Sequence, residues 1–315
     1  MKNRFLFLVG LSALVIVGCG KKEGVVSAKH KIDKVIATEN RWEEAEQIFA
    51  GDEYVAEQWV WDGRKVIRID YRGDEQYSEN FFYDGRKIIS TTVPAYDLRN
   101  EFQYDGSKLD KIDVYKKEKL AATMTFAHND DVISEIVVKR VEVDSDMVWP
   151  MWSPMPLKLL VGRRVANTIC NNEIMASGKR AFNQPKSSNS DVETHYRLSW
   201  DKDHKNVEKI EVNGNGINPY TIELKYDKKN NPYAQLYANH EINESIFGLK
   251  MLSENNVTFI RMPFNNLGVI DFNYTYTYED DYPATCNLTY NYVSLSATFD
   301  SVTVRIEQKE KFFYK

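Results

Sequence analysis

The chain has 315 residues, 43% of them hydrophobic, and a formal net charge of −5. This is enough apolar material for a substantial core, in one large domain or two, and the charge gives no reason to propose nucleic acid as a partner. Aromatics make up 13% of the chain, with 19 Tyr and 15 Phe, residue types that favour pleated, half-buried surfaces.

Met1-Lys2-Asn3-Arg4 is a short basic start, and Phe5 to Val17 is an uncharged apolar run. The run is too short to cross a hydrocarbon core, which needs roughly 20 residues, so it reads as a cleavable signal. An ordinary secretory signal would end A-x-A, whereas this one ends Val17-Gly18-Cys19. That ending closely resembles the lipobox of bacterial lipoproteins. The resemblance implies a signal peptide over 1–18, a lipidated (palmitate-bearing) Cys19 and a tether over 19–30, and the remaining residues 31–315 are expected, from the repeats described next, to form a single β-rich domain. Each buried acyl CH₂ contributes roughly 0.8 kcal/mol, so the two or three chains of such proteins would anchor it for good. Lys21, Lys22 and Glu23 follow, with no Asp beside Cys19, which points to the outer rather than the inner membrane. Whether the protein faces the periplasm or the medium stays open.

Internal repeats decide the expected fold. WDGRKVIRI from Trp61, YDGRKIIST from Tyr83 and YDGSKLDKI from Tyr104 are one unit, and FAHNDDVISEI from Phe126 is a looser copy. Further copies with different turns start at Trp200, Tyr226 and Tyr278. In each, an aromatic ends a strand, Asp-Gly or its equivalent supplies a tight turn, and β-branched residues begin the return. Two strands in about 22 residues make antiparallel pairs, since a parallel pair needs a longer crossover. The expectation is an all-β fold of about fifteen strands: a long antiparallel meander curled into an open barrel or half-barrel. Hairpin repeats are expected over 54–143 and 192–308. A membrane-spanning barrel is disfavoured, because Val66, Arg68 and Asp70 share one strand face, where lipid would require an apolar surface.

Two kinds of break interrupt the pattern. Asn40 and Glu43 have capping-box spacing, with Trp42, Ala45 and Phe49 at helical intervals, so a short helix is expected over 39–50. A long insertion runs over 144–191, and a second, from Leu236 to Val257, carries a short helix around 242–252. Loops this long in a compact domain are usually functional or separately structured.

YDKKNNPYAQLY, then SENNVT at Ser253–Thr258, then TYTYEDDYPATCNLTY at Thr275–Tyr290, resemble a group of Bacteroidota envelope lipoproteins of unknown function. Its members are described by a porin-like, strongly curved antiparallel sheet with Y-D-x-G hairpins. The resemblance spans roughly residues 30 to 310. It implies a fold and an envelope location, and brings no catalytic residues with it. Asp281 stands where that family's late turn usually has Gly.

Candidate chemistry is sparse. Asp201-Lys202-Asp203-His204-Lys205 lacks the ligands a calcium loop needs further along. The five histidines are dispersed, without metal-ligand spacing, so no metal or other cofactor is expected. Arg72-Gly73-Asp74 reads as a turn. Cys286 shares a face with Leu288, Tyr290 and Tyr292 and reads as core, with pairing to Cys170 an open alternative. Trp149, Met151 and Trp152, held extended by neighbouring prolines, form a possible patch for a glycan or protein ligand, or a plug for the concave side of the sheet. The expected function is non-catalytic binding or an envelope structural role, with partners limited to the membrane, reached through the N-terminal lipid, and such a ligand. A polysaccharide-directed hydrolase, using two carboxylates, and an accessory subunit of an envelope complex are the alternatives.

Overall fold

A computed structural model describes residues 30–72, 76–141, 192–214, 217–234, 252–264, 268–295 and 301–315. The described chain is nearly all strand: one antiparallel sheet that curls, as the repeats require, and closes into a 16-strand barrel. The expected lipobox, the 144–191 segment, residues 236–251 of the second expected insertion and the Trp149–Trp152 patch lie outside the described residues, as do Cys170, Gly73 and Asp74; residues 255–257, expected within that insertion, already belong to a strand.

The wall is a succession of hairpins. β3 (Tyr54–Asp62) returns as β4 (Lys65–Tyr71), β5 (Tyr77–Asp84) as β6 (Lys87–Val93), and β7 (Leu98–Asp105) as β8 (Lys108–Lys116). β9 (Lys119–Asn129) returns as β10 (Val132–Arg140), β11 (Val192–Trp200) as β12 (Val207–Gly214), β13 (Ile217–Asn230) as β14 (Asn255–Phe264), and β15 (Gly268–Glu279) as β16 (Tyr282–Leu295). The last hairpin is assembled from the chain's two ends. β17 (Ser301–Tyr314) pairs with β1 (Ile32–Glu43), which also pairs with β3, and this closes the ring.

The helix expected over 39–50 is not there. Those residues finish β1, turn at Glu44 (φ 52°) and form β2 (Glu46–Ala50). β1 is committed along its length to β17, with Glu39 opposite Gln308 and Arg41 opposite Ile306. That long-range ladder outweighs a local helical pattern. β2 runs in line with β3, and Gly51 joins them, its N–H donating to the Glu39 carbonyl at 2.9 Å. A Cβ at Gly51 would sit 2.7 Å from that oxygen, so glycine is required.

In the Asp-Gly hairpins the Asp stays in the strand and only the glycine turns. Gly63, Gly85 and Gly106 adopt φ of 56°, 58° and 59° at the first loop position, as a two-residue type II′ loop needs. In the late turn Asp280 and Asp281 both take positive φ, 49° and 68°, the type I′ pattern.

Alternation sorts the side chains except at bulges: the one at Ile67 leaves Val66 buried and turns Arg68 and Asp70 outward, so the three do not share the face that the sequence pattern suggested. Trp59, Ile69, Leu109, Ile112, Met124, Ile136, Phe272 and Tyr290 face inward, buried in one continuous cluster that also holds Cys286. Outward positions carry charge on strand after strand, as at Arg68–Asp70, Lys139–Glu193, Arg261–Asp271 and Lys309–Glu307. A lipid-spanning wall needs the opposite arrangement, an apolar band facing out.

Candidate functional site

One device recurs at the turn-bearing rim. In each hairpin a β-bulge follows one of the first three residues of the return strand, as after Val66, Ile88, Leu109, Ile133 and Val207. The aromatic of the next hairpin donates to the carbonyl just before that bulge. Tyr83 reaches Val66, Tyr104 reaches Ile88, Trp200 reaches Ile133 and Tyr226 reaches Val207, each at 2.7 Å. Tyr276 reaches Val257 and Tyr314 reaches Pro283 at 2.8 Å, and Trp61 reaches Ile32 at 2.7 Å. The repeated aromatic is thus a clasp between neighbouring hairpins, and its polar atom explains why Tyr and Trp recur there.

Register corrects the fourth repeat. Asn129 closes that turn with Val132 and His128 pairs with Ile133, so His128, not Phe126, occupies the clasp position, while Phe126 is a core residue two positions earlier. In the final repeat the clasp moves from Tyr278 to Tyr276, on the same face.

The rim also gathers the motif residues of the second half. The Asp227 carboxylate accepts from the backbone N–H of Lys229 at 2.9 Å and of Asn256 at 3.1 Å, and from the Tyr278 hydroxyl. Burial, then that bond to Asp227, pushes the Tyr278 hydroxyl pKa up, which keeps it a donor. Asn206 donates to Asp201 at 2.8 Å and to Asn255 at 3.0 Å, Asn255 donates to the Lys229 carbonyl at 3.0 Å, and Asn231 donates to the Ser253 carbonyl at 3.0 Å. Burial pulls the Asp201 carboxyl pKa up, but the N–H groups of Lys205, Asn206 and Asp203 outweigh it and hold the group below its ordinary value. The Asp201 segment is a tied turn, with its carboxylate oxygens taken by Lys205 and Asn206.

Two further clusters exist. On the outer wall His195 lies between carboxylates, its Nε2 2.8 Å from Glu193 and its Nδ1 3.2 Å from Glu135. Lys139 pairs with Glu193 at 2.8 Å and Arg197 with Glu135 at 3.1 Å. The bond from Lys139 holds Glu193 below the usual carboxylate range, and in Glu135 the bonds from Arg197 and His195 overcome burial to the same effect. Such carboxylates are poor proton donors at neutral pH. Sequence reading missed this cluster. Glu193, His195 and Arg197 alternate visibly on one face, but the β10 partners are identifiable only from register.

On the inner face Glu79 and Thr91 are fully buried, with Glu39 and Asn100 nearly so. Glu39 accepts from Arg41 at 2.7 Å, Glu57 from Trp59 at 2.9 Å, and Thr91 from Asn100 at 3.0 Å. Tyr71 stacks on Tyr77 at 4.9 Å. Burial, then the charges of Glu57 and Glu79, raise the Tyr71 hydroxyl well above its ordinary pKa. None of Glu39, Glu57 or Glu79 in this acidic, hydroxyl-rich layer is without a partner. Among the described residues no group of three or more His, Cys, Asp or Glu side chains could hold a metal ion.

No family model matches the chain, and no curated protein matches it. A β-barrel is compatible with an outer-membrane or envelope location.

Proposed function

We propose that this chain is an outer-membrane-anchored envelope lipoprotein, held by lipid on Cys19, whose barrel is a non-catalytic binding or structural body. One observation carries the reading: the barrel is apolar inside and charged outside, so a membrane position requires an anchor, and the N-terminal sequence has the form of one. The resemblance to Bacteroidota lipoproteins of unknown function belongs to the same proposal. The chemistry-bearing side chains at the rim and on the outer wall are bound to one another in structural bonds, which favours binding or scaffolding over catalysis. Trp149, Met151 and Trp152 remain the proposed ligand patch, for a glycan ring or a peptide.

The anchor is tested by incorporation of a palmitate analogue, which should label the wild type and not Cys19→Ala. Exchange of residues 1–19 for an ordinary cleavable secretion signal should release a folded protein from the membrane fraction. Retention there would overturn the anchor. Turnover of a polysaccharide that disappears on substitution of one carboxylate would replace the binding reading with a hydrolase.

A further inference from the structure

Residue 30, the C-terminal residues, the clasps and the turns within the repeated hairpins all lie at one end of the barrel. β1 begins there, since Trp61 bonds the Ile32 carbonyl and the Lys31 amine bonds the Gly63 carbonyl beside the first turn. His30 stacks on Tyr282 at 3.9 Å, between the last turn and the C-terminal Tyr314. The chain preceding residue 30 therefore leaves from this rim. Residue 30 is eleven positions from Cys19, a reach of at most about 40 Å.

The rim is not uniform. Bulge positions are polar in most hairpins, as at Asp33, Asp110, Ser134, Glu208 and Thr258. In β4 and β6 they are Ile67 and Ile89, and both are exposed. Phe82, on β5 between them, is 47% exposed, and Phe313, opposite Lys34, is 39% exposed. All four lie near the turn-bearing end, Phe313 on β17 beside the start of β1 and the other three on β4 to β6, two to four strands to its other side. Arg64 and Arg86, at the tips of the same two hairpins, are exposed and form no ion pair among the described residues. Across the rim the turns carry Asp130, Asp131 and Asp203 instead, while Asp280 and Asp281 lie on the far side of the chain entry, on the hairpin that ends two strands from β1.

We infer that the sector of β3–β6 is a membrane-contact face: Arg64 and Arg86 meet anionic lipid headgroups while Ile67, Phe82 and Ile89 enter the interfacial region, so that the barrel leans on the bilayer with its acidic side raised. Basic residues within a Debye length, about 10 Å, are drawn to an anionic surface, and exposed aromatic and aliphatic side chains bury in its headgroup layer. This orientation rests on the lipid-anchor reading, because only a tether at this rim brings the sector within reach.

The test uses the full lipidated protein in vesicles of phosphatidylethanolamine and phosphatidylglycerol that carry a headgroup-attached quencher. Fluorophores are placed on cysteines at Asp84, at Asp131 across the rim and at Glu118 at the opposite end. The Asp84 probe should be quenched at least about threefold more than the other two, and the preference should fade in high salt or in uncharged phosphatidylcholine. The combined variant Arg64→Glu, Arg86→Glu, Phe82→Ser should bring all three probes level while leaving vesicle binding and thermal unfolding intact, since each side chain is exposed. Equal quenching in the unsubstituted protein, or strongest quenching at Glu118, would overturn the membrane-contact face. Failure of the protein to bind vesicles at all would instead overturn the anchor beneath it.

Discussion

The hairpins before and after the 144–191 insertion share one seam and differ in the other. Both halves use the aromatic clasp onto a bulge carbonyl. The position just before that carbonyl is where they part. In the first half it is Lys31, Lys65, Lys87 and Lys108, with Val132 the exception, and in the second Asn206, Asn256 and Tyr282. Lys87 spans to the Gly106 carbonyl and lies 4.9 Å above the Tyr104 ring, Lys108 reaches the Asp130 carbonyl, and Lys65 lies 5.1 Å above the Tyr83 ring. The second half replaces this exposed stitch with the Asp227–Asn256 and Asp201–Asn206–Asn255 network, half-buried and built around the buried Asn206 and Asn256. A lysine amine over a solvent-facing turn contributes little, whereas a satisfied buried polar network is costly to disrupt. The repeat is therefore held together by the clasp, and the second stitch sets how rigid each half is.

The largest expected effect is Asp227→Ala, which strands the N–H groups of Lys229 and Asn256 and the Tyr278 hydroxyl. A loss of about 3 kcal/mol is expected by chemical denaturation, with local hydrogen exchange rising around 227–231 and 255–256. Next come the clasps. Tyr226→Phe and Tyr83→Phe each remove one buried bond and should cost about 1–2 kcal/mol. Equal costs in the two halves would support a common clasp, and a negligible cost at Tyr83 would break the comparison.

His128 offers the reverse experiment. Burial, and then the charge of Lys108, lower its pKa below the ordinary histidine value. The unfolded chain then takes up the proton more readily than the folded one, so stability should fall as pH drops through about 6.5. His128→Tyr should remove that dependence and, by placing a hydroxyl toward the Leu109 carbonyl, gain about 1 kcal/mol. Asp201 titrates in a lower window. Its folded pKa is depressed, so the stability it contributes is present above about pH 4 and is lost on further acidification. Asp201→Asn should flatten that loss. Smallest of all, Lys87→Met should cost under about 1 kcal/mol, and a cost matching Asp227→Ala would erase the contrast between the halves.

Much of this architecture is written locally. The period-2 alternation, the Asp-Gly turns and the recurring aromatic specify antiparallel hairpins, because each is decided within a few residues by turn geometry and by which face is apolar. The aromatic was legible as a strand end, but its role as a donor was not, since the carbonyl it reaches belongs to the preceding hairpin. The lysine after each turn was printed in the repeats themselves, in DGRK, DGRK and DGSK, yet its target is likewise across a seam. Residues 39–50 show the opposite failure, where a plausible helical spacing yields to pairing with a strand more than 250 positions away.

The sequence by itself determined the strand character, the turn positions and, between bulges, the inward and outward faces. Only the tertiary structure decided that β17 and β1 form the closing hairpin, that His195 sits between Glu193 and Glu135, and that the exposed Ile67, Phe82 and Ile89 flank the rim where the chain enters. Periodicity and turn chemistry act between near neighbours, whereas ring closure and side-chain clustering depend on strand register, which is settled only when distant segments compete to bury the same apolar surface.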